Sequence, residues 1–227
     1  MHSKKLVVIG GGAAGFFLAV NAARLNPQLR VTLLEKSGKL LSKVKVSGGG
    51  RCNVTHACFS IPDLVKKYPR GEQFLKKAFH LFNTNDTIEW FSERGVQLHT
   101  EADGRMFPVT NNSQTIINCL LQEADKHRVD VQINCDVHRI EMAGAGFRIH
   151  ITGKKKLGTD FVAVACGGFP KLAMFQWLKE TGHQIQEPVP SLFTFNIPKH
   201  PITALMGLSV PNAVVKIAGT KLKEQGP

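Results

Sequence analysis

Lys5-Leu6-Val7-Val8-Ile9-Gly10-Gly11-Gly12-Ala13-Ala14-Gly15 decides the fold. A short apolar run, partly β-branched, enters a glycine turn with Gly at 10, 12 and 15, the spacing G-x-G-x-x-G. The run before the turn reads as a strand buried on both faces. Ala13 to Asn26 is rich in Ala and Leu and reads as a helix, which Pro27 stops. A second strand, Arg30-Val31-Thr32-Leu33-Leu34, then delivers Glu35.

Each glycine has a physical task in this arrangement. Gly10 makes the tight turn out of the strand, Gly12 leaves room for a pyrophosphate beside the backbone, and Gly15 lets the helix pack closely. The free N–H groups and dipole at the helix N-terminus favour phosphate charge. Glu35 lies 20 residues past Gly15, where an acid accepts hydrogen bonds from ribose hydroxyls. An acid there suits a free 2′-hydroxyl, as in FAD or NAD, rather than a 2′-phosphate. A glycine-rich turn without a ligand is the bland alternative, and strand, helix, second strand and acid in order argue against it.

Further along, Leu40 to Val46 carries lysines at 43 and 45. Ser47-Gly48-Gly49-Gly50-Arg51-Cys52-Asn53 then reads as backbone held close to a ligand, or as a mobile loop. Gly N–H groups and the Arg51 guanidinium suit a phosphate or the polar edge of a flavin ring. Residues 60–95 read as helical, with Phe74, Leu75, Ala78, Phe79 and Phe82 as a core face, Thr84 or Asn85 as a cap, and Ile88, Trp90 and Phe91 inward. Val96 to Thr100 reads as a strand, 114–127 as a helix capped by Asn112 or Ser113, and Val129 to Ile133 as a strand returning to the main sheet. Residues 138–142 and 147–151 flank Ala143-Gly144-Ala145-Gly146, a β-hairpin signal. Phe161 to Ala165 reads as another buried strand, ending in Cys166-Gly167-Gly168, and Lys171 to Thr181 as a helix stopped by Gly182. Prolines at 188, 190, 198 and 201 mark a linker, followed by β-rich segments at 192–196 and 208–217 and an end, Lys221 to Pro227, with no closing element.

Composition narrows the classes. The chain has 227 residues, 43% hydrophobic, enough for a real core. No run of about 18 apolar residues is present, so no membrane span is expected. The N-terminal apolar run breaks into glycines and belongs to the nucleotide fold rather than to a signal peptide, which suggests a cytoplasmic protein. Five cysteines without regular spacing argue against a disulfide framework, and the absence of C-x-x-C argues against a zinc ribbon. The net charge of +12 raises nucleic acid as a partner. The basic residues are dispersed, however, and Lys154-Lys155-Lys156 sits between glycines as a solvated turn. A basic surface also attracts an anionic cofactor or substrate.

Val8 to Gly15, Leu34-Glu35-Lys36, Ser47 to Asn53 and Gly104-Arg105-Met106-Phe107-Pro108 together resemble bacterial flavoproteins of the BaiN/YhiN type, often described as NAD(FAD)-utilising dehydrogenases. Pro190-Ser191-Leu192-Phe193 and Gly207-Leu208-Ser209-Val210 also look like that family, so the resemblance covers nearly the whole chain. It implies an α/β fold: a Rossmann-like FAD-binding domain with a parallel sheet and a β-hairpin or meander over 1–189, then the start of an inserted β-rich domain over 190–227. It implies noncovalent FAD lined by Gly10, Gly12, Ala13, Ala14 and Gly15, by Glu35 and Lys36, by Ser47, Gly48, Gly49, Gly50, Arg51, Cys52 and Asn53, by the turn at Asp136-Val137, and by Ala165, Gly167 and Gly168. Some members are linked to reduction of steroid-like or other enones. Members are usually longer and return from the insert to finish the FAD site. This chain stops within the insert, so a truncated product is expected, lacking that closure. The stretch after Gly168 also lacks the Gly/Ser-rich extension expected there.

The function expected is an FAD-dependent oxidoreductase passing hydride from NAD(P)H through FAD to a small organic acceptor. The alternatives are a non-catalytic FAD-binding or RNA-binding module and a purely NAD-binding dehydrogenase. The Ser47 to Thr55 loop and the second Gly-Gly favour FAD over NAD. No metal site is expected and no catalytic residue is assigned. Cys52, whose thiol Arg51 could activate, reads more readily as a packing residue. His56 is a candidate proton donor on the same terms. Substrate, oligomeric state and the choice of NADH or NADPH stay open.

Overall fold

A computed structural model describes residues 3–68, 70–169, 171–189, 196–205, 210 and 212–226. The chain divides into two units, Met1–Glu187 and Pro188–Pro227.

In the first unit, β1 (Lys5–Ile9) runs into the glycine turn and α1 (Ala13–Leu25), and β2 (Arg30–Leu34) returns beside β1 in parallel. Next come α2 (Ser42–Val46), a tight turn of 3₁₀ type over Ser47–Gly50, and β3 (Thr55–His56). Three helices follow: α3 (Ile61–Val65), α4 (Glu72–Phe79) and α5 (Thr84–Ser92). After β4 (Leu98–Thr100) and β5 (Arg105–Pro108), α6 (Ser113–Lys126) leads back to β6 (Asp130–Gln132). A three-stranded meander, β7 (Val137–Ala143), β8 (Gly146–Ile151) and β9 (Leu157–Thr159), precedes β10 (Phe161–Val164) and α7 (Gln176–Lys179).

The main sheet is parallel, in the order β10-β1-β2-β6, with Val8 opposite both Ala163 and Leu33. Both faces are covered, as the apolar run Leu6 to Ile9 of β1 requires. Leu6 and Val8 pack with Phe16, Ala19 and Val20 of α1 and Ile116 and Leu120 of α6. Val7 and Ile9 point the other way, onto Ile140, Ile149 and Ile151 of the meander. Phe16 and Val20 are 0% exposed, and burial of each contributes about 1.5–3 kcal/mol. A smaller antiparallel sheet, β3-β5-β4, carries Phe107, also 0% exposed.

The structure corrects several expectations. The aromatic face of 74–82 is not core: α4 buries no residue and Phe74 is 80% exposed. The helix has little beyond α3 to lean on, with Tyr68 and Phe79 rings 5.6 Å apart. Trp90 and Phe91 are buried as expected, but the cap is Asn83. Its side chain accepts from the Asn85 N–H, while Asp86 accepts from the Asn83 N–H, a reciprocal capping box. At the next helix Asn112 is the cap, accepting from the Gln114 N–H.

The strand at 161–165 is only half buried, since β10 is an edge strand and Phe161 and Val164 are 51% and 41% exposed. The helix expected over 171–181 shrinks to a 3₁₀ turn, Leu172–Phe175, and the short α7. None of these residues is fully buried, and packing of Trp177 against the meander gives too small a face to sustain a longer helix.

In the second unit, β11 (Ala213–Lys216) and β12 (Lys223–Gly226) form an antiparallel hairpin, after a 3₁₀ turn at Pro201–Leu205. The end of the chain therefore does close on a partner strand, turning at Gly219 (φ 76°). Its Lys-Glu-Gln composition carries no strand signal, and backbone pairing alone defines it. The segments expected at Pro190 to Phe195, at Leu208 and Ser209, and around Pro211 lie outside the described residues.

Candidate functional site

A cleft of about 700 Å³ opens at the C-terminal ends of β1 and β2, where α1 begins. This is the end of an open parallel sheet at which ligands bind. Gly10, Gly12, Ala13, Ala14, Glu35, Lys36, Val137, Ala165 and Gly167 all line it. Residues from four separate segments of sequence thus meet in one place.

The glycines divide by what surrounds them. Gly10 has φ 117°, and a Cβ there would stand 2.5 Å from the Ala165 carbonyl oxygen. A Cβ on Gly15 would run into the Gly10 carbonyl. Both positions are closed by packing. Gly12 differs, because nothing lies within 4 Å of where its Cβ would be. It is the N-cap of α1, in extended conformation at φ −91°, with no side-chain capping bond. Phe16 N–H bonds back to the Gly12 carbonyl, so the N–H groups of Ala13 and Ala14 have no helical partner. A glycine lip over open space with free donors beside it fits the pyrophosphate of a dinucleotide such as FAD.

Glu35 closes one side. One carboxylate oxygen accepts from the Gly11 N–H at 2.8 Å, and the other from the Ser37 N–H and hydroxyl, each at 2.8 Å. A carboxylate has about four acceptor directions, so capacity remains for a ribose hydroxyl. Lys36 pairs with Asp136 at 3.3 Å on the rim. Opposite, Gly167 turns at φ 73°, and a Cβ on it would lie 3.4 Å from Lys43 Nζ.

Gly15, Gly168 and the block Ser47, Gly48, Gly49, Gly50, Arg51, Cys52 and Asn53 do not line this cleft. Gly15 lies beneath the turn. In the block, Gly48, Gly49, Gly50 and Cys52 all have positive φ. Arg51 pairs with Glu101 and stacks 4.0 Å over the Phe107 ring. Ser47 Oγ donates to the Val44 carbonyl at 2.9 Å, and the Asn53 amide, oriented to satisfy its neighbours, donates to the Thr55 carbonyl at 2.8 Å. The block is internally bonded rather than a loose loop. Cys52 is 6% exposed, and burial raises its thiol pKa, contrary to the activation that Arg51 suggested. His56 Nε2 lies 3.0 Å from the Asp103 carbonyl oxygen.

Residues the sequence did not point to complete the cleft. Lys39 and Lys43 add positive charge, and His138, Phe169, Met174 and Trp177 form its far wall. Gly11 is tied to Glu35 through its N–H. Only the lysines had a sequence signal; the wall depends on how α7 folds against β7. Among the described residues no group of three or more His, Cys, Asp or Glu could hold a metal ion, and no helix is long and apolar enough to cross a membrane.

Comparison with known proteins agrees with this architecture. The chain is 24% identical over 224 residues to the 3-dehydro-bile acid delta(4,6)-reductase of Clostridium scindens, covering 96% of this chain and 54% of that protein. It is 26% identical over 227 residues to the ribosomal RNA dihydrouridine synthase of Escherichia coli, covering 96% and 55%. The chain therefore spans about half the length of these curated relatives. The crystal structure of Thermovibrio ammonificans THI4 superposes with a TM-score of 0.52 at 13% identity, over 80% of this chain and 64% of that one, a likeness of fold. The family model described as the HI0933-like protein Rossmann domain matches residues 4–223, and the chain belongs to that family.

Proposed function

We propose that the chain is the FAD-binding part of an FAD-dependent reductase that takes hydride from NAD(P)H and delivers it to an organic acceptor. The single observation that carries this reading is Gly12, open to the cleft at the start of α1 with Glu35 bound across the same turn. FAD supplies the redox chemistry, accepting and passing on a hydride. The chain's residues bind and orient it. Gly10, Gly12, Ala13, Ala14 and Gly15 form the pyrophosphate turn, and Glu35 and Lys36 take the ribose end. Val137, Ala165 and Gly167 lie along the opposite side, and Gly168, outside the cleft lining, continues the turn that Gly167 makes. Ser47 to Asn53 supports the ring end, held rigid by the Arg51–Glu101 pair. Residues 1–189 form this FAD domain, and 190–227 begin an inserted β-rich domain.

The acceptor we infer is a carbon–carbon double bond conjugated to a carbonyl. One relative is named for reducing a delta(4,6) system, and the other for making dihydrouridine, the form of uridine saturated in its ring. Five free cysteines suit a reducing, cytoplasmic setting. Purified protein reconstituted with FAD should absorb near about 450 nm and bleach on anaerobic mixing with NADH. Failure to retain flavin refutes the cofactor site; retention without bleaching by NADH or NADPH leaves a binding module and refutes the enzyme.

A further inference from the structure

The segment from Phe59 to Phe82 contributes no residue to the cofactor cleft. Leu64 and Val65 of α3 are buried and anchor it. Beyond that anchor, α4 presents Phe74, 80% exposed, with Lys77 one turn further on the same surface. Phe59, Tyr68 and Leu81 are exposed as well. Lys66, Lys67, Arg70, Lys76 and Lys77 lie on the same segment against Asp63 and Glu72, and all five cations are exposed. Among the described residues only Lys66 of the five is in an ion pair, with Asp63.

Exposed rings leave apolar surface that none of the described residues covers. Interleaved with unpaired cations, they match the platform that holds a single strand: phosphates on the cations, bases stacked on the rings. An eight-residue helix, about 12 Å long, covers too little apolar area to hold a membrane surface by itself. We propose that the α3–α4 arm docks single-stranded RNA, with Phe74 stacking a base and Lys76 and Lys77 neutralising phosphates. The inference deepens the reductase reading by naming RNA as the partner, but its test requires no turnover.

The test is fluorescence anisotropy of a labelled 20-nucleotide oligouridylate with the FAD-reconstituted protein and with Phe74→Ala and Lys76→Gln/Lys77→Gln. All these side chains are exposed, so folding and flavin content should be unchanged. Phe74→Ala should weaken binding by about 5- to 150-fold, the range for one base–aromatic stack. The double variant should reduce the slope of log affinity against log salt by about 1.4, two phosphate contacts on a single strand. Affinity and salt slope equal to wild type in both variants would overturn the docking site. So would loss of binding to vesicles of phosphatidylglycerol and phosphatidylcholine with oligouridylate binding intact, which would assign the arm to a membrane surface. Flavin bleaching by NADH, measured separately, reports on the reductase reading, so the two can fail independently.

Discussion

Gly12→Val separates ligand binding from packing at the glycine turn. In the folded chain nothing lies within 4 Å of the new Cβ, and φ −91° is ordinary for any residue. The variant should therefore fold, losing no more than about 1 kcal/mol for a poorer N-cap residue. Binding is another matter. The branched side chain would fill the space in front of the Ala13 and Ala14 N–H groups. Hydrogen bonds to a charged group are worth about 1.5–3 kcal/mol each, so losing two removes about 3–6 kcal/mol. That is roughly 100- to 20,000-fold in affinity. The assay is titration of apoprotein with FAD, followed by quenching of flavin fluorescence, alongside a thermal melt. Gly15→Val is the matched control, because its Cβ meets the Gly10 carbonyl and should unfold the domain rather than spare it. A folded Gly12→Val that binds FAD within about threefold of wild type would refute the placement of the pyrophosphate.

Glu35→Ala should weaken FAD by about 1–3 kcal/mol, with Glu35→Gln retaining part of the affinity through its remaining oxygen; an unchanged dissociation constant removes the ribose role. Arg94→Leu should destabilise the first unit by about 1.5–3 kcal/mol in urea unfolding, since it removes the bond that Arg94 Nε makes at 2.9 Å to Glu123, whose side chain is 8% exposed and which then keeps only Lys126 as a close charged donor. For Glu123 burial pushes the carboxyl pKa up, but the bonds from Lys126 and Arg94 outweigh it and the net shift is downward. A depressed carboxylate stabilises the fold above its unfolded pKa of about 4.3, and that contribution should fade as pH falls through the lower folded value. Unfolding midpoints measured between neutral and acid pH check the sign. Native alkylation should spare Cys119, whose thiol burial and then Glu123 push up to about 11, and should label it only on unfolding; rapid native labelling seen by peptide mass spectrometry contradicts this.

The α/β core was legible because its signals are local and periodic. Val7 and Val8 are buried on opposite faces because β1 is apolar from Leu6 to Ile9, and that pattern is visible in four residues. The turn, α1, β2 and Glu35 follow in sequence order, so spacing alone could place them. The cleft's far wall could not be read this way. Trp177 and Met174 reach it from a segment whose helical pattern looked longer than it is, and only contact between α7 and β7 brings them there. The same limit explains α4. An amphipathic pattern states that one face is apolar, not that something covers it.

The two glycine clusters show why composition alone misleads about a site. At Gly10 to Gly15 one glycine faces open space and two are closed by backbone. In the Ser47 to Asn53 block a Cβ on Gly48 would press on the Phe107 ring at 2.8 Å, while Gly49 has nothing within 4 Å. Gly48 therefore serves the packing that seats Arg51 on Phe107, whereas Gly49 has the open setting that Gly12 has and Gly50 meets only the Lys45 carbonyl oxygen at 4.0 Å. The physical distinction is between a glycine that makes room for the protein and one that makes room for a ligand. Gly48→Ala should consequently lower stability, through both its φ of 56° and the contact with Phe107. Gly49→Ala carries only the strain of its φ of 67°, about 1–2 kcal/mol. A thermal melt that ranks Gly49→Ala as the more damaging of the two would contradict this division.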